Sequence, residues 1–412
     1  MKNTFLFLIT ILPYFIYSQK NNCDGIRYID STFSDVTITK NIQYGNNKTI
    51  SGIEKNLYMD IYEPKDDLKD ERALIILAFG GAFIEGERSD MEEMAIAFAK
   101  KGYVVSSIDY RLYDGDSFSF IIDTTKLLTA VVQGMSDFKA AIRFFKENYT
   151  EHSNSYAIDT NVIFAGGVSS GGILANHIGL VDSSDNISTY FQNLIDANGG
   201  WKGNSSSNTN YSSKISGILN FSGAIKEAKW IDENDIPVFS VHDTHDPIVP
   251  YASGKAKIEF PINGIPFEVP LIHLQGSKEI HDALSKMNVK SELISIDSDE
   301  HVSYFIGSKI DEFSDSIEIS SSKFMENIIC GSSNGREKIS FDFKIYPNPT
   351  SEIIRIHSKI PIHKIEIIDL SGRIVKSNLT SNEISLINLR KGQYFVTATS
   401  YNASTTRKII LK

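Results

Sequence analysis

Residues 164–176 read FAGGVSSGGILAN. Four glycines surround two adjacent serines, between an apolar strand-like run (NVIFAGG, 161–167) and a segment that continues with helical spacing. Glycine weakens any regular element that it occupies, so its crowding here needs a cause. A sharp strand-to-helix turn supplies one. The residue at the apex of such a turn is held in a strained backbone conformation, and side chains beside it would collide with the strand or the helix. Gly167-Val168-Ser169-Ser170-Gly171 fits G-x-S-x-G with Ser169 at the apex, while Gly166 and Gly172 allow close packing outside it. Centring the pattern on Ser170 would require glycine at 168, where Val168 stands. Ser170 is therefore expected to contribute its amide, at a helix N-terminus that favours negative charge.

Outward from this turn, strand and helix patterns alternate. NLYMDI (56–61) alternates as a half-buried strand would; ALIILAF (73–79), YVVSSIDY (103–110), SGILNFSG (216–223) and PVFSVHD (237–243) are apolar enough for parallel strands covered on both faces. Helical spacing runs from Met91 to Lys101 and from Gln133 to Asn148. The alternation predicts an α/β domain, residues 24–330, built on a doubly wound, mostly parallel sheet. Chemistry in such sheets collects in the loops after the strands.

A second glycine-rich turn, Phe79-Gly80-Gly81-Ala82-Phe83, directly follows a buried strand. Small residues there let backbone N–H groups approach a substrate oxygen, which assigns an oxyanion hole to Gly81, Ala82 and the amide of Ser170. A plain glycine-rich turn is the competing reading. A serine hydroxyl needs a base, and the base an orienting acid. Of nine histidines, His301 lies in LISIDSDEHVSYF, after a strand-like run and last in the chain order Ser, acid, His. The loop after PVFSVHD offers Asp246, with Asp243 as fallback; His242 and His245 in the same loop compete as base. HDTHD (242–246) also loosely resembles a metal-ligand set, but a third cluster of ligands is missing from the sequence, so no metal or other cofactor is expected.

The chain has 412 residues with 41% hydrophobic and 22% charged content, globular values that fit two or three domains. Its net charge of −10 is spread without long runs, which argues against a nucleic-acid surface. The opening MKNTFLFLITILPYFIYSQK sets Lys2 before an apolar run and ends in a small residue, the pattern of a signal peptide over residues 1–18. That run is too short for a membrane span and contains Pro13. Export permits a disulfide between the two cysteines, Cys23 and Cys330, although spacing alone leaves two free thiols open. After Cys330, GSSNGREKIS reads as a linker (331–340), and residues 341–412 read as the short strands of a small β-sandwich.

Two resemblances follow from these motifs. LAFGGAFIEGE, GYVVSSIDYRL, SDFKAAIRFFKENYTEHSNSYAID, AGGVSSGG and VHDTHDPIVPY, in this order, are similar to the carboxylesterase and lipase branch of the α/β-hydrolase superfamily. The resemblance implies an eight-stranded sheet and a serine esterase with Ser169 as nucleophile, Asp246 as acid and His301 as base. Phe79 replaces the histidine of the family's HGGGF element, Ala82 replaces its third glycine, and Val168 stands where a charged residue is common. The tail resembles the type A C-terminal sorting domain of the Bacteroidetes type IX secretion system, through YPNPT, IEIIDLSGRIV, INLRKGQYFV and RKIILK. That implies export across both membranes to the surface or beyond, with the type IX machinery as partner. A carbohydrate-binding or adhesive module is the alternative for the tail, though an aromatic platform for sugar is not evident.

The expected activity is hydrolysis of a carboxylic ester through an acyl-enzyme intermediate. A serine peptidase of prolyl oligopeptidase type is the runner-up; its G-x-S-Y-G-G elbow carries a tyrosine where Ser170 stands here. A non-catalytic binding protein on the same fold is the third reading. The polar stretch 195–214, which includes Trp201, is either a wall of the site's mouth or a solvated insertion.

Overall fold

The structure, a computed structural model, describes residues 23, 25–115, 124–262, 265–331, 343–358, 362, 364–369, 373–379, 383–400 and 403–412. The leader at 1–18, and the linker at 331–340 apart from Gly331, lie outside the described residues.

Strands β1 (Val36–Lys48) and β2 (Glu54–Pro64) pair antiparallel at one edge of a large sheet. Next in the chain come β3 (Arg72–Ala78), β4 (Val104–Ile108), β5 (Ile158–Val168) and β6 (Gly217–Phe221). The short β7 (Ala224–Ile225) precedes β8 (Val238–Asp243), then β9 (Ser253–Ile262), β10 (Ile265–Gly276) and β11 (Ser291–Ile296). The sheet has eight strands in the order β1-β2-β4-β3-β5-β6-β8-β11, and from β4 onward every pairing is parallel. β3, β4, β6 and β8 bury every residue, as strands with helices on both faces must.

The covering helices are α1 (Glu92–Lys100), α2 (Thr124–Glu151), α3 (Ser170–Leu180), α4 (Thr189–Ala197), α5 (Ser277–Lys286) and α6 (Ile310–Ile329). From β3 the chain crosses to β4 on one side, and from β5 to β6 on the other. The order therefore reverses between β3 and β5. In open α/β sheets the carboxyl ends of strands at such a reversal are where sites form. Both glycine-rich turns leave at that point.

Several details depart from the sequence reading. β2 alternates as expected from Asn56 to Met59, but Asp60 is buried and accepts from Arg88 Nε at 2.9 Å and from the Asn41 amide at 2.8 Å. A part-buried ion pair thus lets a polar residue stand at a buried position of the strand. The helix expected from Gln133 starts at Thr124, and the β9–β10 hairpin, which pairs with β7 in a three-stranded sheet, was not anticipated. The polar stretch 195–214 is neither free nor loose. Arg143 on α2 donates to the Lys202 carbonyl and Ser206 Oγ, Lys139 donates to the Trp201 carbonyl, and buried Ser205 joins the Arg111–Asp137 ion pair.

A disulfide joins Cys23 to Cys330 with Cα atoms 5.7 Å apart, tying the start of the described chain to the end of α6. The C-terminal strands form two antiparallel sheets, β12 (Phe343–Tyr346), β13 (Ile353–Ser358) and β16 (Glu383–Ser385) in one, and β14 (Lys364–Asp369), β15 (Ile374–Leu379), β17 (Gly392–Ser400) and β18 (Ala403–Leu411) in the other. Alternate residues, among them Ile354, Ile356, Ile365, Ile367, Val396 and Ile409, fill a second hydrophobic core separate from that of the large sheet. Among the described residues no helix is long and apolar enough to cross a membrane.

Candidate active site

β5 ends at Val168 and α3 begins at Ser170, leaving Ser169 alone at the turn with φ 55° and ψ −116°. No helix or strand accepts such a residue, and strain of this kind in a non-glycine residue collects at functional sites. Its neighbours explain the glycines. A Cβ on Gly171 would lie 2.1 Å from the Ala78 carbonyl oxygen, and one on Gly167 would lie 2.4 Å from the Gly171 carbonyl carbon. The elbow is thus pressed against the end of β3, which only bare backbone allows. The Ser169 amide donates to the Phe221 carbonyl at 2.8 Å and the Ser169 carbonyl accepts from Ile173, so the turn is pinned on both sides.

Ser169 Oγ lies 2.9 Å from His301 Nε2, and His301 Nδ1 lies 2.6 Å from Asp246 Oδ2. Three side chains from three loops form one hydrogen-bonded chain. His301 donates from Nδ1 to the carboxylate, which leaves Nε2 to accept the serine proton. The Asp246 side chain is buried, and its Oδ1 accepts from the amides of Ile248 at 2.8 Å and Val249 at 2.9 Å. Burial pushes this carboxyl up, but hydrogen bonds from His242 and His301 outweigh it and hold the group at about 2. Asp246 is therefore a carboxylate at any physiological pH.

The other residues weighed for these positions lie elsewhere. Asp243 is fully buried and accepts from the Ser303 amide at 2.9 Å and from Ser303 Oγ, so it anchors the His301 loop without touching His301. Burial raises its pKa, and the Ser303 bonds only partly oppose that. His245 turns outward, 3.5 Å from Asp297. His242 is buried beside Asp246. The HDTHD stretch thus sends its side chains in different directions, and among the described residues no group of three His, Cys, Asp or Glu side chains could hold a metal ion.

The turn after β3 abuts the elbow: a Cβ on Gly80 would lie 3.3 Å from Ser169 Cβ. Gly81, Ala82 and Phe83 all have positive φ, at 114°, 52° and 66°. Gly81 has no room for a side chain, because a Cβ there would lie 2.2 Å from the Glu85 carbonyl oxygen. The Gly81 carbonyl accepts from Ile84 and Glu85, and the Phe83 carbonyl from Tyr113, which fixes the turn. Among the described residues the Gly81 and Ala82 amides donate to no backbone carbonyl outside regular elements, and Ser170 is the first residue of α3, where an N–H lacks an intrahelical partner.

Residues 59–228 match the BD-FAE family, and residues 344–412 match the secretion system C-terminal sorting domain. The chain joins an α/β-hydrolase domain to a type IX sorting domain. Among solved structures it is similar to Thermogutta terrifontis esterase 2 phosphoramylated by tabun and to the same esterase phosphorylated by paraoxon. Each has 18% identity and a TM-score of 0.50, over 72% of this chain and 96% of that chain. No curated protein matches the sequence. The large sheet and its helices are the esterase fold, and the sorting domain marks the chain for export, to be secreted or held at the cell surface.

In this hydrolase domain the structure adds a residue that the sequence reading passed over. Tyr110 Oη donates to the Phe79 carbonyl at 3.0 Å and lies 3.1 Å from Ser170 Oγ, while its ring stacks on Phe79 at 4.4 Å. One phenol therefore ties the turn after β3 to the first residue after the elbow. Phe79, where the resemblance expects histidine, packs as an aromatic wall under that turn. The only sequence signal for Tyr110 was a polar aromatic at the end of a buried strand.

Proposed function

We propose that the protein is an exported serine carboxylesterase, with a catalytic unit over 24–330 closed by the Cys23–Cys330 disulfide, a linker at 331–340, and a sorting unit at 341–412 behind a leader at 1–18. The observation that carries this reading is the unbroken chain Ser169 Oγ to His301 Nε2 and His301 Nδ1 to Asp246 Oδ2, at 2.9 and 2.6 Å. Ser169 attacks the ester carbonyl as His301 takes its proton; the amides of Gly81, Ala82 and Ser170 hold the oxyanion. His301 then protonates the leaving alcohol, and water, activated by the same histidine, releases the acid. Asp246, kept ionised, stabilises the imidazolium that forms between these steps.

Export directs the activity to esters outside the cell, such as acylated polysaccharides, lipids or polyesters. A screen across acyl chain lengths and acetylated xylan orders these classes. Ser169→Ala is expected to abolish hydrolysis of p-nitrophenyl butyrate and labelling by a fluorophosphonate probe. Hydrolysis retained by a clean preparation of the variant would overturn the proposal. Paraoxon, which phosphorylates the esterase of similar fold, is expected to modify Ser169 here.

A further inference from the structure

His242 is a fully buried histidine that the proposed mechanism does not use, and its two ring nitrogens face very different partners. Nε2 lies 3.1 Å from the Val249 carbonyl oxygen and 3.3 Å from Asp246 Oδ2. A carbonyl and a carboxylate only accept, so Nε2 must carry a proton. Nδ1 lies 2.7 Å from Ser277 Oγ. Ser277 Oγ already receives a hydrogen bond from Asn220 Nδ2 at 2.9 Å, and its other acceptor, the Gly223 carbonyl, is 3.5 Å away. The Ser277 hydroxyl therefore gives its proton to Nδ1. Asn220 cannot reverse its amide to change this, because its Oδ1 accepts from the Gly223 amide at 3.0 Å and its Nδ2 also serves Ser240 Oγ.

We infer that His242 is a positioning residue of the site: its Nε2–H, hydrogen-bonded to the Val249 carbonyl at 3.1 Å, also presents its positive end to Asp246 Oδ2 3.3 Å away, in a tautomer set by Ser277 and Asn220. The inference rests on the esterase reading. A carboxylate offers about four acceptor positions. Ile248 and Val249 occupy those of Oδ1, His301 donates to Oδ2, and His242 Nε2–H, bonded to the Val249 carbonyl, flanks Oδ2 at 3.3 Å. With three hydrogen bonds and the flanking His242 Nε2–H around it, the carboxylate is held against swinging as the imidazolium forms and discharges on His301. The charged and titratable groups around it are His301, His242 and, across the loop, Asp243, which Ser303 holds away. The contribution falls on the chemical step, so kcat and not KM should respond.

Met and Gln at 242 have similar length, but only Gln can donate from the position of Nε2. In H242M the second-order rate of fluorophosphonate labelling of Ser169, and kcat for p-nitrophenyl butyrate, are expected to fall about 10- to 100-fold with KM unchanged. H242Q is expected to stay within about threefold of wild type. Wild-type labelling by a folded H242M, or equal losses in both variants, would overturn the inference. If H242M does not fold, ¹⁵N shifts of the histidine rings in the wild-type protein decide: a protonated Nδ1 with a bare Nε2 at His242 overturns it. A wild-type protein that is labelled at Ser169 yet turns over no ester overturns the esterase reading alone, because the labelling rates still test His242. A wild-type protein that is not labelled overturns both.

Discussion

Replacing Asp246 by asparagine exchanges one of two engaged oxygens for a donor, and the two ways of placing the carboxamide differ in consequence. With the NH₂ at the Oδ1 position it would face the Ile248 and Val249 amides at 2.8 and 2.9 Å, donor against donor. Leaving two buried amides unpaired costs about 2–6 kcal/mol. With the NH₂ at the Oδ2 position it faces His301 Nδ1, which can become an acceptor by moving its proton to Nε2, and His242 Nε2–H, which keeps the Val249 carbonyl as its acceptor. The second placement leaves both backbone bonds intact and is the cheaper. It leaves a proton on the nitrogen that must accept one from Ser169 2.9 Å away. The expected loss in kcat is about 10⁴-fold, or about 5 kcal/mol of transition-state stabilisation. Steady-state hydrolysis of p-nitrophenyl butyrate, with wild type and variant at one pH, reads kcat and KM separately, and thermal melting checks the fold. A folded Asp246→Asn enzyme with kcat within about tenfold of wild type would refute the assignment, since a misplaced tautomer cannot leave that much activity. Asp243→Asn provides the contrast, because Asp243 touches Ser303 and not His301.

Gly171→Ala forces a methyl group to within 2.1 Å of the Ala78 carbonyl oxygen, so urea denaturation should show a loss of about 3 kcal/mol or more, or no folded protein. Removing the disulfide by Cys23→Ser with Cys330→Ser opens a loop of sequence separation 307 and should cost about 2–5 kcal/mol, read as a lower denaturation midpoint. Burial, with the nearby charges of Asp232, Asp185 and Asp182, pushes the Asp235 carboxyl up to about 7, despite the amide of Asp232 that it accepts. A carboxyl raised on folding contributes its full stability below its unfolded pKa of about 3.9 and loses it as pH climbs through about 7. Asp235→Asn should therefore gain on wild type across that interval, and a constant difference in melting temperature from pH 4 to pH 8 would contradict the assignment.

Much of the fold was legible because it depends on local rules. Buried parallel strands need mostly apolar residues; β3 has them after Arg72, and β6 and β8 have them apart from Asn220, Ser240, His242 and Asp243, whose polar atoms are hydrogen-bonded inside. The elbow needs glycine wherever backbone meets backbone, and Gly167 and Gly171 stand there. Edge and hairpin strands were harder to read, since β1 is largely exposed and carries no apolar run of its own. Within β2 only Asp60 misled, because it is buried against Arg88, which lies on the far side of β3 in the sequence.

The site divides along the same line. That Ser169 sits at a strained turn follows from its neighbours in the chain, since the steric demand of the turn is met within a few residues. Which carboxylate orients which histidine does not. Asp243 and Asp246 lie three residues apart on one loop, and only the packing of the His301 loop turns one toward Ser303 and the other toward the imidazole. Tyr110, His242, Ser277 and Asn220 look like ordinary residues of buried elements, and become a clamp and a proton-ordering network only when distant strands bring their polar atoms within about 3 Å in a medium without water. The sequence by itself determined the sheet, the sharp turn and the serine at its apex, because backbone sterics and apolar patterning act over a few residues. Only the tertiary structure decided which of the candidate carboxylates meets which imidazole and which residues hold them, because a hydrogen bond is set by distance in space and not by distance along the chain.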